Sequence, residues 1–144
     1  MQRRELLTGL GLAAAVTAIP NAAAQAPHHH HGTAAYQTLA DKASDCVSKG
    51  EVCLTHCYEL LAEGDKSMAS CAKSVREMLA LCGALRSIAS QEAPSLPKLA
   101  AVAQDACTRC EAECRKHEEM HAPCKACAES CAACAAECKK VASA

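Results

Sequence analysis

The spacing of the cysteines constrains the fold of this chain more than any other feature. Near its end, five cysteines follow one another at steps of three, four, three and four residues: Cys124, Cys127, Cys131, Cys134 and Cys138. On an α-helix, this alternation places side chains in a single stripe that faces neighbouring helices. The spacing therefore predicts a helix that presents thiols to the interior of a bundle.

The other eight cysteines follow the same pattern on three earlier segments, where apolar residues complete the stripes. They are Cys46, Cys53, Cys57, Cys71, Cys82, Cys107, Cys110 and Cys114. Roughly two positions in seven face a partner helix in a bundle, so random placement would leave most of the 13 cysteines on the outside. We therefore expect all of them to face one common interior.

Three breaks divide the sequence into four helical segments. Gly64-Asp65 combines a helix stop with a helix N-cap, residues 92–97 form a proline-bounded turn, and Pro123 suits a first helical turn. The predicted helices cover residues 36–63, 66–91, 96–121 and 123–141. Short connections make successive helices antiparallel. The sequence thus predicts an all-α protein, an antiparallel four-helix bundle with a cysteine-lined core, over residues 36–144.

The first residues are typical of an export signal. Arg3-Arg4 precedes an apolar run and a small-residue stretch, which indicates a twin-arginine signal over residues 1–24. An ordinary secretory signal is an alternative, and the apolar run is too short for a stable membrane anchor. Residues 25–35 read as a flexible linker in which His28–His31 serve as a spacer or as a weak metal-capturing run. We expect an exported, periplasmic protein.

The net charge is −1 and basic residues are interspersed with acidic ones, so the sequence indicates no basic surface that would bind nucleic acid. A catalytic pair is also not indicated, because neighbouring residues such as His56 and Cys57 point to different faces of a helix. We expect no catalytic residues and no enzyme activity.

Three interpretations of the buried thiols compete. Cysteine can fill a tight core as a small hydrophobic residue, but Ala, Val or Leu would do so without its redox chemistry. Disulfides could brace the helices of an exported structural or interaction module. However, 13 is an odd number, and pairs three or four residues apart on one helix are poorly placed to join separate segments. Metal binding accounts for the pattern better, because such pairs can hold an ion between two sulfurs.

The pattern favours copper(I) over other metals. Zinc requires separate tetrahedral quartets, and iron–sulfur clusters are held by looping motifs. Copper(I) is soft and suits a continuous column of thiolates. One monovalent ion per thiolate would also neutralise the buried charge, so we expect about 13 ions per chain.

One end of the predicted bundle carries weaker ligands. Antiparallel packing brings the 61–66 and 120–124 turns together, where Met68, His117, Met120 and His121 meet Cys124. Such ligands could pass copper inward, although Met68 could equally be ordinary core and the histidines solvated. His56 and Met120 lie off the stripes and are weaker candidates. At the opposite end, we expect a hydrophobic plug.

The cysteine runs at 124–138 and 107–114 closely resemble those of the cysteine-lined four-helix copper storage proteins of bacteria, in particular the exported branch of methane-oxidising species. The resemblance covers the whole segment that follows the leader. It implies a Cu(I) store, commonly a homotetramer, that supplies copper enzymes such as the membrane methane monooxygenase. Copper chaperones or recipient enzymes would be its partners. Storage, detoxification and trafficking are not distinguished by the sequence.

Overall fold

The computed structural model describes residues 34–143, which form four α-helices. They are α1 (Ala34–Ala62), α2 (Ala69–Ala89), α3 (Leu96–Arg115) and α4 (Ala122–Ala142), with a 3₁₀ turn at Lys66–Met68 before α2. Helix α1 packs on α2 and α4, and α3 packs on the same two helices. The prediction of an all-α antiparallel four-helix bundle is therefore confirmed. The predicted leader, and the predicted linker up to residue 33, lie outside the described residues.

The connection between α1 and α2 is built as its sequence predicts. Gly64 takes a left-handed conformation with φ of 97°, and its N–H donates to Leu61 O while the N–H of Asp65 donates to Leu60 O. This is the hydrogen-bonding pattern of a glycine-ended helix. The carboxylate of Asp65 then accepts hydrogen bonds from the hydroxyl and the N–H of Ser67, and these bonds lower its pKa. Asp65 thus caps the 3₁₀ turn.

The end of α3 differs from the prediction. We expected this helix to reach residue 121, but it ends at Arg115, and residues 116–120 form turns. The reason is geometric: packed helices lie about 8–10 Å apart, whereas one residue extends about 3.5 Å at most. A helix ending at 121 would leave only Ala122 to reverse the chain before Pro123. His117 and His121 consequently lie on a turn rather than on a helical stripe.

The core between the helices is built from thiols and small or aliphatic side chains. All 13 cysteines are fully buried. At the end remote from the 120–124 turn, five residues close the core as expected for a hydrophobic plug: Leu39, Ala89, Leu96, Ala100 and Val141. Tyr36 packs against the same end of the core. The thiols therefore occupy the middle of the bundle and the end that bears the histidine turn (residues 116–121).

Across residues 34–143, no helix combines the length and the apolar character required to cross a membrane.

Candidate metal centre

The thiols lie close to one another because opposite helices present them at matching levels. Near the histidine turn, Cys53 Sγ of α1 lies 3.8 Å from Cys124 Sγ and 4.0 Å from Cys114 Sγ. Cys71 of α2 lies 3.5 Å from the same Cys114 sulfur. Residues from all four helices thus meet at this level.

A second layer lies deeper in the bundle. Cys82 Sγ is 3.4 Å from Cys107 Sγ and 3.9 Å from Cys134 Sγ. Cys46 Sγ is 3.6 Å from Cys131 Sγ. Between the two layers, Cys110 Sγ lies 3.9 Å from Cys127 Sγ and 4.0 Å from Cys114 Sγ. Short sulfur–sulfur steps therefore run along the length of the thiol core.

Four groups of cysteines have all their sulfur atoms within 4.8 Å of one another. Two groups contain four residues, Cys46/Cys82/Cys107/Cys134 and Cys53/Cys57/Cys71/Cys124, and two contain three, Cys53/Cys114/Cys127 and Cys110/Cys127/Cys131. Three of the groups overlap, because Cys53 and Cys127 each belong to two of them, and the 3.6 Å contact between Cys46 and Cys131 joins the fourth group to these three. Cys138 belongs to none of the four. The arrangement is a connected array of thiols and not a set of separate sites.

The cysteines of this array are free thiols in the structure. The hydrogen-bonded thiol pairs are separated by 3.4–4.0 Å, well beyond the disulfide bond length of about 2.05 Å. The structure therefore gives no support to the alternative of a disulfide-braced module. Sulfurs at these separations can instead share a metal ion between them.

Hydrogen bonds among the thiols raise the pKa of some cysteines and lower the pKa of others. Hydrogen bonding with Cys114 raises the pKa of Cys53 and lowers that of Cys71. Hydrogen bonding with Cys107 lowers the pKa of Cys134 to about 5. The low dielectric of the interior disfavours ionising all of these thiols together. A metal ion that enters the array must therefore displace protons from thiols such as Cys53.

The predicted weaker ligands occupy different environments at the histidine turn. Met68 is fully buried, whereas the side chain of Met120 is 75% exposed. His117 and His121 are partly buried, with ring centroids 6.4 Å apart. The N–H of His117 donates to Cys114 O, and the N–H of Cys124 donates to His121 O. The backbone thus connects both histidines directly to cysteines of the array.

Two further residues belong to the site: His56, which the sequence indicated only as a weaker candidate, and Met78, which it did not indicate as a ligand. Nε2 of His56 lies 3.0 Å from Nδ1 of His121, although His56 is off the stripe of α1. Met78 is fully buried, and its Sδ accepts a hydrogen bond from Cys46 Sγ at 3.3 Å. Its stripe position on α2 was a signal that the sequence offered for Met78. His56 had no such signal, because its contact depends on where the histidine turn folds.

A four-helix bundle with a connected, buried array of thiols defines a class of helical metal-binding protein. The statistical model of the family described as "Copper storage protein" matches residues 32–143 of this chain. The chain belongs to the copper storage protein family. This is a family of storage proteins and not of catalysts.

Relatives of known sequence and structure agree with this assignment. The uncharacterized cysteine-rich protein YhjQ of Bacillus subtilis (strain 168) is 29% identical over 86 residues, which span 60% of this chain and 76% of that protein. Apo copper storage protein 3 of Bacillus subtilis is 28% identical, with a TM-score of 0.65 over 74% of this chain and 97% of that chain.

Two copper-containing structures are also similar. The Cu(I)-bound copper storage protein BsCsp3 is 26% identical, with a TM-score of 0.67 over 75% of this chain and 98% of that chain. The copper storage protein Ccsp of Streptomyces lividans, solved loaded with 10 copper equivalents, is 20% identical. Its TM-score is 0.69 over 83% of this chain and 93% of that chain, which supports the fold alone.

Proposed function

We propose that this protein stores Cu(I) at high capacity, with about one ion for each of its 13 cysteines. The observation that carries the proposal is the connection among the four thiol groups: Cys53 and Cys127 each belong to two groups, and the contact between Cys46 and Cys131 joins the remaining one. An array that shares its members favours ions bridged by common sulfurs. A structure of a 26% identical relative with Cu(I) bound supports the same chemistry.

The charge of the array favours a monovalent ion. Ionising many buried thiols without cations would be prohibitively costly, because the interior does not solvate the negative charges. One Cu(I) per thiolate neutralises the array completely. Zinc prefers four ligands in closed tetrahedral sites, so 13 thiols could make at most three separate quartets. Copper(I) accepts fewer sulfurs per ion and uses the whole array.

An anaerobic titration tests this proposal. Reduced protein is titrated with Cu(I) against a chromophoric Cu(I) chelator, and the end point is expected near 13 ions per chain. A parallel titration with Zn²⁺ should saturate at three ions or fewer. An end point of three or four Cu(I), with zinc competing effectively, would contradict the proposal and indicate quartet sites.

Two adjacent substitutions on α4 provide a matched control. Cys131→Ala removes one sulfur from the array and should lower the end point by about one ion. Ser130→Ala, also at a buried position, removes only a hydroxyl that donates to Cys127 O. It should leave the end point unchanged. Equal end points for the two variants would show that capacity does not depend on the thiols.

We further propose that copper passes through the end bearing the histidine turn. At this end Met68 is buried and His56 contacts His121, while backbone hydrogen bonds join His117 and His121 to Cys114 and Cys124. Met120 extends from the same turn into solvent. Histidine and methionine bind Cu(I) more weakly than thiolate does, so they can hand an ion onward. The opposite end is closed by aliphatic side chains such as Leu39 and Leu96.

Export, assembly and delivery complete the proposal. The resemblance to the exported branch supports a periplasmic homotetramer that supplies copper enzymes, the membrane methane monooxygenase among them. The paired Arg3 and Arg4 support the twin-arginine route. The double variant Arg3→Lys/Arg4→Lys preserves the charge required by general secretion and should accumulate in the cytoplasm. Normal export of that variant would indicate an ordinary secretory signal.

A further inference from the structure

A methionine extends the array of sulfur atoms where the stripe of α1 contains glycine. On α1, Gly50 lies between Cys46 and Cys53 in the stripe. On α2, Met78 lies between Cys71 and Cys82. The two helices pack against each other, and the Met78 side chain occupies the space beside Gly50. A thioether therefore lies where the α1 stripe supplies no thiol.

The thioether is in contact with the thiol array. Met78 Sδ lies 3.3 Å from Cys46 Sγ, and both side chains are fully buried. Metal–sulfur bonds are about 2.3 Å long, so two sulfurs that bind one ion lie up to about 4.6 Å apart. The observed separation falls within this limit. Cys46 is also a member of the deep group with Cys82, Cys107 and Cys134.

Gly50 provides the room that this contact requires. A Cβ atom at position 50 would lie 2.6 Å from Met78 Cε and 2.9 Å from Leu79 Cδ2. Any other residue would therefore displace the methionine or its neighbour. Glycine inside a helix is less stable than alanine by about 1 kcal/mol. The glycine thus favours the observed position of Met78 at a cost to α1 itself.

We propose that Met78 Sδ is a Cu(I) ligand that shares an ion with the thiolate of Cys46. This inference rests on the proposed storage of Cu(I). A thioether is a soft, uncharged ligand, so the ion and the single thiolate form a neutral unit. Because Met78 adds no charge, it should not add an ion to the capacity. It supplies the ion bound by Cys46 with a sulfur ligand that does not come from a cysteine.

Selenium X-ray absorption of the Cu(I)-loaded protein tests the assignment directly. The chain contains four methionines: Met1, Met68, Met78 and Met120. The selenomethionine-labelled double variant Met68→Leu/Met120→Leu keeps Met1 and Met78. Its matched control, which also carries Met78→Leu, keeps only Met1. We expect a copper neighbour bonded to selenium in the double variant and its loss in the control.

Copper uptake and helix content are measured on the same samples. Replacing Met by Leu conserves volume and usually costs less than about 1.5 kcal/mol, so both variants should fold. Near-complete uptake without a selenium–copper bond would overturn the role of Met78 and leave storage intact. Uptake of only three or four ions would overturn the proposed storage, and the assignment of Met78 with it.

Discussion

Nε2 of His56, in the second half of α1, lies 3.0 Å from Nδ1 of His121, which immediately precedes α4. The two rings are tilted by 57°, with centroids 4.9 Å apart. Both side chains are partly buried. In a neutral pair of this kind one ring donates and the other accepts, so the lone pair available to a metal ion lies on the second nitrogen of the donor ring, Nδ1 of His56 or Nε2 of His121. The contact therefore connects the histidine turn to the wall of the bundle beside Cys57.

This pair leads to a prediction about the rate of copper uptake. The triple variant His56→Gln/His117→Gln/His121→Gln retains polar side chains but lacks the imidazole ligands. Loading from a Cu(I) chelator should slow by about tenfold, which corresponds to about 1.4 kcal/mol on the barrier. The saturation end point should not change. Stopped-flow absorbance of the chelator complex measures the rate.

A substitution at the opposite end serves as the control for this experiment. Tyr36 packs against the core beside the hydrophobic plug, so Tyr36→Leu should leave the loading rate unchanged. If Tyr36→Leu slowed loading and the triple histidine variant did not, copper would have to pass through the plug. A large loss of capacity in the histidine variant would instead assign those residues to the store.

The fold and the array of thiols could be predicted because both depend on one periodicity. Each cysteine stripe fixed which face of its helix is buried, and short connections fixed the antiparallel order. The histidine turn could not be predicted in the same way. His117 continues the stripe of α3 by spacing, yet the chain must leave the helix at Arg115 to reach α4. Periodicity does not show at which residue a helix must end so that the connection to the next helix is long enough.

The sulfur–sulfur contacts also required the structure. A stripe shows that Cys46 and Met78 face the interior, but not that their sulfurs meet at 3.3 Å. That contact depends on the relative heights of α1 and α2 and on the missing side chain at Gly50. Likewise, the division of the thiols into overlapping groups arises from how four helices align. Sequence spacing along one helix carries no information about the heights of its residues relative to those of another helix.

A stability prediction concerns two residues in left-handed backbone conformations. Gly64 has φ of 97° and Glu92 has φ of 50°. An L-residue in this region costs roughly 1–2 kcal/mol, and glycine avoids the cost. Glu92→Gly should raise the free energy of unfolding by about 1 kcal/mol, and Gly64→Ala should lower it by a similar amount. Denaturant unfolding of the reduced protein measures both changes.

A second variant distinguishes the effect of the exposed Glu92 side chain on stability from the effect of its backbone conformation. Glu92→Ala removes the carboxylate but leaves a residue with a Cβ at the same φ, so it should bring no comparable gain. An equal gain from alanine and glycine would mean that the carboxylate, and not the backbone, destabilises the turn between α2 and α3.

Folding should not require copper. The core has aliphatic residues in addition to its thiols, and a neutral thiol packs as a small apolar group. Reduced protein without metal should therefore show a strongly helical far-ultraviolet circular dichroism spectrum. Leu85→Ala, at a fully buried position, should lower its free energy of unfolding by about 2–5 kcal/mol. Val102→Ala, at a 54% exposed position, should change it by less than about 0.5 kcal/mol. Helix that formed only on copper addition would mean that the metal builds the fold.

Cu(I) affinity should fall as the pH falls. A thiol must lose its proton to bind the ion, so protons compete with copper, and affinity drops by about tenfold per pH unit for each proton displaced. Hydrogen bonding with Cys114 raises the pKa of Cys53, which therefore holds its proton at neutral pH. Because the pKa of Cys134 is about 5, the affinity of its thiolate for Cu(I) should fall only near and below pH 5.

Chelator competition at pH 5, 6, 7 and 8 measures this dependence, after correction for protonation of the chelator itself. Uptake should release protons into weakly buffered solution at pH 7, as a pH indicator would show. Cys53→Ala removes a thiol that is protonated at that pH and should lower the number released by about one. Cys134→Ala, which removes a thiol that is already ionised, should leave the number almost unchanged. Equal proton release by the two variants would contradict the opposite pKa shifts of Cys53 and Cys134.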